Sequence, residues 1–265
     1  MRLSVGRRKM SVAVITGASS GIGAEFAREL APMVDELWLV ARRKERMEEL
    51  GRECGKSFKV IAADLTVSEG IDELRGQLEK EKPEVKYLVN AAGFGDFGAF
   101  DELPESSFEK MIDLNVKALV LITNITLPYM KEGGRIIQLG SGSCFTPLPY
   151  FNVYASSKAF VLHYTKALNY EIKKLGVRAT CFCPGWVHTE FIGKATAKKG
   201  VTCPPPEAFH PLLDCTSAVR GCVRAARRGR SMYVVGWFTK LQHLLFKILP
   251  DSILTRAWLG MMKKK

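Results

Sequence analysis

Seven short apolar runs punctuate the chain: Val12–Thr16, Leu37–Ala41, Phe58–Ala62, Tyr87–Asn90, Gly134–Leu139, Val177–Cys183 and Ser231–Val235. Each is bounded by turn residues or charge, as expected of strands buried on both faces. Between them lie stretches with apolar residues at helical spacing: Glu25 to Leu30, Ser68 to Glu81 closed by Pro83, Phe108 to Met130 interrupted late by Pro128, the segment around Tyr154, and Thr216 to Arg228. Strands alternating with helices predict an α/β fold, a parallel sheet doubly wound with helices on both faces. Ligands of such sheets bind outside the carboxyl ends of the strands.

Two stretches break the rhythm. Residues 190–212 are small, basic and proline-ended (Pro204, Pro205, Pro206), with little periodicity, and read as a long loop of the kind that forms a lid. After the last strand, residues 236–265 carry Trp237, Phe238, Leu241, Leu244, Leu245 and Ile248 near helical spacing, and Pro250 divides them from Ile253–Leu259. Three readings of this extension stay open: cover for the core or a subunit interface, the wall of an apolar substrate pocket, or an in-plane membrane contact. With no repeat or interdomain linker, the 265 residues are expected to form one domain, 1–265, with its core at 11–235.

Charge refines this. The net charge is +12. From Cys215 to Lys265 there are eleven basic residues and the single acid Asp251, and Arg2, Arg7, Arg8 and Lys9 add four more cations at the N-terminus. The middle is slightly acidic, so the basic rim suits anionic partners such as phosphorylated cofactors. No nucleic-acid-binding motif accompanies it, and nucleic acid is not expected as a partner. The seven cysteines (Cys54, Cys144, Cys181, Cys183, Cys203, Cys215, Cys222) form no C-x-x-C pair, and the four histidines do not join them at zinc spacing. Reduced thiols in a cytoplasmic protein without a metal are expected. No apolar run approaches the ~20 residues of a membrane span.

The candidate chemistry begins at Gly17-Ala18-Ser19-Ser20-Gly21-Ile22-Gly23. A glycine turn between a strand and a helix lets backbone N–H groups approach a pyrophosphate. The spacing is G-x-x-x-G-x-G, and a structural turn without a ligand stays open. After the second strand, Arg42 and Arg43 stand where folds that prefer NAD carry an acid for the ribose 2′-hydroxyl. Arginine binds phosphate bidentately, so the 2′-phosphate of NADP is the better guess, against a solvated helix start. Asp64 and Gly93 fall just past the third and fourth strands. Tyr154 and Lys158 are spaced to share one helix face, where a cation favours a phenolate and so suits a general acid or base.

Together these pieces resemble the short-chain dehydrogenase/reductase family. Thr16-Gly17-x-x-x-Gly21-x-Gly23, Tyr154-x-x-x-Lys158, a serine thirteen residues before the tyrosine (Ser141), Pro184-Gly185 and the helix asparagine Asn115 occur in the family's order. The match runs from about Ser11 to Val235. It implies a single-domain Rossmann fold with a doubly wound seven-stranded parallel sheet. It also implies NADP(H) held by Gly17, Ser19, Ser20, Gly21, Ile22, Gly23, Arg42, Arg43, Asp64, Asn90, Ala91, Gly93, Tyr154, Lys158, Pro184, Gly185, Val187 and Thr189. Tyr154 would transfer the proton, Lys158 lower its pKa, Ser141 bind the substrate oxygen and Asn115 order a water beside Lys158. Ser143, eleven residues before Tyr154, is a rival for the serine role. One departure is Ala91, where the family has a second asparagine. The resemblance extends to hydroxysteroid dehydrogenases and 3-oxoacyl reductases, implying a lipophilic carbonyl or alcohol substrate and a homodimer or homotetramer. A non-catalytic NADP-binding redox sensor or interaction protein is the alternative from another class; such proteins tend to lose the Tyr or Lys that is intact here.

Overall fold

In the computed structural model, residues 10–198 and 200–262 are described; Arg2, Arg7, Arg8, Lys9 and the Lys263–Lys265 run lie outside them. Seven strands form one parallel sheet in the order β3-β2-β1-β4-β5-β6-β7. They are β1 (Ser11–Thr16), β2 (Glu36–Ala41), β3 (Ser57–Ala62), β4 (Glu84–Asn90), β5 (Met130–Leu139), β6 (Arg178–Cys183) and β7 (Met232–Val234). Strand order reverses at β1, which pairs with β2 on one side and β4 on the other. The crevice above this switch point is where a ligand of such a sheet sits.

Strand alternation explains the two layers of helix. In β1, Ala13 and Ile15 face one side, where Phe26 and Leu30 of α1 (Gly21–Leu30), Met47 and Leu50 of α2 (Lys44–Glu53) and Val219 and Val223 of α8 (Cys215–Arg227) cover them. Val12 and Val14 face the other, against Ile71 and Leu74 of α3 (Ser68–Glu81), Ile122 and Ile125 of α5 (Leu119–Thr126) and Leu168 of α6 (Asn152–Glu171). Because both faces are buried, β1 and β2 read as continuous apolar runs.

The long helix of the fourth crossover is continuous from Glu105 to Tyr129. It comprises α4 (Glu105–Ile112), a π-helical turn at Asp113–Ala118, α5 and a short 3₁₀ turn. By length and composition this stretch could cross a membrane, contrary to the sequence expectation. Nearly half of its most apolar window is buried, and it packs on β4 and α6 as a core helix.

Close approaches position the strand ends. Gly17 turns at φ +68° with its α-carbon so near the β4–loop junction that an added methyl would lie 2.8 Å from the Ala92 nitrogen. Gly70 of α3 sits directly on the Asp64 carbonyl, leaving no room for a β-carbon. Gly70→Val is expected to destabilise the fold by about 1–3 kcal/mol through overpacking, read as a lower urea midpoint at unchanged m.

Candidate active site

The carboxyl ends of β1 to β6 open into a cleft of about 750 Å³. Its floor begins at the glycine turn. Gly17 and Gly21 take left-handed backbone conformations, and α1 starts at Gly21 with no side-chain cap on its first N–H groups. Those donors face the cleft, as an anion-binding helix N-terminus requires. Gly21 is in turn close to Thr189, where a β-carbon would come within 3.3 Å of the threonine side chain.

At one end of the cleft stand the two arginines. Arg43 donates to Ser19 Oγ at 3.2 Å and to Ser20 Oγ at 2.7 Å, tying the end of β2 to the glycine turn. Arg42 is exposed and lies 3.8 Å from Asp64. Burial draws the Asp64 carboxyl upward, but hydrogen bonds from the Thr66 N–H and hydroxyl and the nearby Arg42 hold it below its ordinary value.

At the other end, α6 presents Tyr154 and Lys158 on one face. Lys158 is 1 % exposed, and its Nζ donates to the Leu139 carbonyl at 2.8 Å. Burial pulls its pKa down to about 8. Tyr154 hydrogen-bonds with Ser141, yet burial outweighs that bond and holds the phenol above its ordinary value. The sequence expectation that Lys158 depresses Tyr154 is not met in this structure. The ammonium lies 5.6 Å from the centre of the tyrosine ring and spends its hydrogen bond on the β5 carbonyl. Ser141 lines the cleft, whereas Ser143 is turned inward with its Oγ buried and unpartnered. Ser143 N donates to Ser141 Oγ at 3.1 Å, so the rival serine serves as a support for the other.

Asn115 sits in the π-helical turn, a local irregularity that recurs at functional sites. Its amide donates to the Phe94 carbonyl at 2.9 Å and its Oδ1 accepts from the Phe94 N–H at 3.1 Å, pinning the loop after β4. Gly93 brings the backbone so close that an added β-carbon would meet Asn115 Oδ1 at 2.9 Å and Lys158 Nζ at 3.3 Å. Asparagine, lysine and glycine therefore converge on one point behind the cleft.

The cleft also gathers Ile22, Gly23, Ala91, Pro184, Gly185, Val187 and Thr189. Asn90 is a correction: it does not reach the cleft. Its side chain is buried in the sheet, donating to Thr123 Oγ1 at 3.0 Å and Gln138 Oε1 at 2.9 Å. A strand residue alternates faces with its neighbours, and here Ala91 looks toward the cleft while Asn90 locks β4 to β5 and α5.

Several residues escaped the sequence. Residues 190–212 hold more structure than a loop: Thr189 caps a short helix α7 (Glu190–Ala195), accepting from Phe191 N. The segment is fastened by Lys198 to Asp96 at 2.7 Å and by Glu102 to the Thr202 N–H and hydroxyl. Glu190 receives Lys194, Arg46 and Arg43 at 2.7, 2.6 and 3.2 Å, which together pull its carboxyl down to about 2. It thereby joins α7 to the arginine end of the cleft. The tail supplies the other surprise. In α10 (Asp251–Met262), Trp258 is 6 % exposed and its indole donates to the Pro149 carbonyl at 2.8 Å. It joins Phe97, Met111, Phe151, Phe209 and Tyr154 in one apolar cluster. Phe97 and Phe151 stack at 3.9 Å and Phe151 and Tyr154 at 4.3 Å. α10 thus packs through Leu254 and Trp258 against the body of the protein, behind Tyr154 and outside the cleft lining.

The model of the short chain dehydrogenase family matches residues 11–200. The chain belongs to that family. This short-chain dehydrogenase is an oxidoreductase, and it is 35% identical over 255 residues to an 11-beta-hydroxysteroid dehydrogenase of Pinus massoniana (91% of this chain, 71% of the relative). It is 31% identical over 255 residues to a very-long-chain 3-oxoacyl-CoA reductase of Anas platyrhynchos (91% and 76%). A short-chain dehydrogenase from Sphingobium yanoikuyae, solved in complex with NADPH, superposes with a TM-score of 0.76 at 26% identity, covering 96% of each chain.

The depressed Lys158 makes a pH prediction. The folded state prefers the neutral amine between about 8 and its ordinary 10.5, so the unfolded chain binds more protons there. The cost of the buried cation is complete below pH 8 and gone by about 10.5. The stability of the wild type relative to Lys158→Met should therefore rise by about 1–3 kcal/mol across that window, measured by chemical denaturation at each pH.

Proposed function

We propose that the chain catalyses the NADP(H)-dependent interconversion of a carbonyl with a primary or secondary alcohol on a lipophilic substrate. The observation that carries this is the position of Tyr154. Its hydroxyl is bonded to Ser141 at the cleft, and its ring is part of the aromatic cluster built by Phe97, Phe151 and Trp258. An apolar carbonyl compound lodged against that cluster would have its oxygen within reach of both hydroxyls. We read residues 11–235 as the core of one catalytic domain, 190–212 as its lid and 236–265 as a basic, apolar extension of it.

The residues fit a dinucleotide. The uncapped start of α1 and the glycine turn suit a pyrophosphate, and Arg42 and Arg43 suit a 2′-phosphate. When bound, the nicotinamide would supply or accept the hydride. The chain's own part is the proton and the oxygen. Tyr154, held above its ordinary pKa, is protonated throughout the neutral range and stands ready as the donor in carbonyl reduction. Ser141 would hydrogen-bond the substrate oxygen as charge develops on it. Lys158 would hold the ribose and supply positive charge behind Tyr154. Asn115 would keep the Phe94 loop and Lys158 in place. Ala91 leaves these groups untouched.

The test is an NADPH-oxidation screen over steroid, long-chain acyl and small aldehyde panels, with NADH as the comparison. Turnover on lipophilic ketones with NADPH is expected; turnover confined to small hydrophilic aldehydes would remove the substrate assignment. Tyr154→Phe should lower kcat by roughly 10²–10⁴ while leaving NADPH affinity nearly unchanged. Arg42→Ala, which leaves the Arg43 ties to the glycine turn in place, should weaken NADPH roughly 10–100-fold and NADH little, since charged hydrogen bonds contribute about 1.5–3 kcal/mol. Equal loss for both cofactors would overturn the 2′-phosphate assignment.

A further inference from the structure

Helix α9 (Trp237–Ile248) sits on the body of the protein with its polarity reversed. Its inner side is Thr239, His243 and Phe246. Thr239 is the one buried residue of the helix and packs against Gly142 and Gly185, and the His243 ring lies 4.0 Å from that of Phe145. At 100° per residue, Trp237, Phe238, Leu241, Leu244, Leu245 and Ile248 share the opposite arc. That arc faces outward: Trp237 is 74 %, Leu244 54 % and Ile248 69 % exposed. Ile253 and Met261 of α10 are exposed as well. This part of the tail therefore does not cover the core with its apolar side, which is turned to the outside.

The charges around the arc say what that surface is. Lys240 and Lys247 border it on one side, Arg256 is exposed on α10, and none of the three forms an ion pair among the described residues. Asp251 is the single acid in the two helices. A second copy docking face to face would set these cations against themselves, because a two-fold contact uses the same patch on both sides. An anionic lipid surface instead pairs them, and a short helix with Trp, Leu and Ile on one side and Lys at its border has the form of an in-plane interfacial helix. We propose that the outward arc of α9 docks this protein on the surface of anionic lipid bilayers, the apolar side chains entering the headgroup boundary and Lys240 and Lys247 meeting lipid phosphates. The proposal stands apart from the assignment of substrate and cofactor.

The experiment is flotation of the full chain with vesicles of phosphatidylcholine alone and of phosphatidylcholine containing about one-third phosphatidylserine. The wild type should float with the anionic vesicles at least ten-fold more than with neutral ones, and this should fall at high salt. Trp237→Ser/Leu244→Ser/Ile248→Ser and, separately, Lys240→Glu/Lys247→Glu should each reduce anionic flotation ten-fold or more, with unchanged circular dichroism. The charge pair is exposed, so it tests the idea even if the apolar triple variant folds poorly. No flotation by the wild type, or variants that float as well as it does, would overturn the proposal. So would a wild-type dimer on size exclusion that the triple variant converts to monomer without any vesicle binding, which would make the arc a contact between copies.

Discussion

A lysine amine with almost no access to solvent is the constraint around which this molecule is arranged. Burying an ammonium is costly unless it is partnered, and Lys158 meets that cost partly through the Leu139 carbonyl and partly by a lowered pKa. The carbonyl stands at the last residue of β5, where the strand opens into the cleft. The space for the amine exists because residue 93 has no side chain. The Asn115 amide closes the back of the same chamber, and it can do so because a π-helical turn rotates it out of the helix's regular course. Strand end, glycine and irregular helix all serve one side chain.

That arrangement separates two environments along a single helix face. Lys158 looks toward the polar backbone of the cleft, while Tyr154, one turn earlier, belongs to an aromatic cluster. The same burial that lowers the lysine raises the tyrosine, so both groups are shifted toward their neutral forms. A neutral phenol that can be deprotonated only with the help of a neighbouring charge is a controlled proton donor rather than a permanent anion.

Much of this was legible in the sequence because it is carried by local pattern. Apolar runs, the glycine turn and the Tyr-x-x-x-Lys spacing locate the strands, the switch point and the helix face without any long-range knowledge. What sequence could not supply is which way individual side chains turn and what lies opposite. Asn90 and Ala91 are adjacent, yet strand alternation sends one into the sheet and the other to the cleft. Ser141 and Ser143 look interchangeable until the turn at the end of β5 exposes one and buries the other. The stretch after Thr189 looked like a loop because a helix as short as α7 has too few residues for a periodicity to show. It is held in place by Phe191, Ile192 and Ala195 packing into the aromatic cluster and by contacts with Asp96, Glu102, Arg43 and Arg46, far away in sequence. The tail divides for a similar reason: α9 and α10 have comparable composition, but only α10 turns large apolar side chains inward, Leu254 and Trp258.

The placement of Trp258 has a consequence for how this scaffold diversifies. Every group of the proposed proton machinery is encoded by Lys158, before the sixth strand begins. The ring that closes the aromatic wall comes from the last dozen described residues, on a helix that shares no strand with the sheet. The proposed proton-transfer groups and this ring are thus far apart along the chain, although packing within the aromatic cluster brings the ring behind Tyr154 in space. On the proposed reading, exchanging α10 between relatives would alter the packing behind Tyr154 while leaving the proton-transfer groups in place.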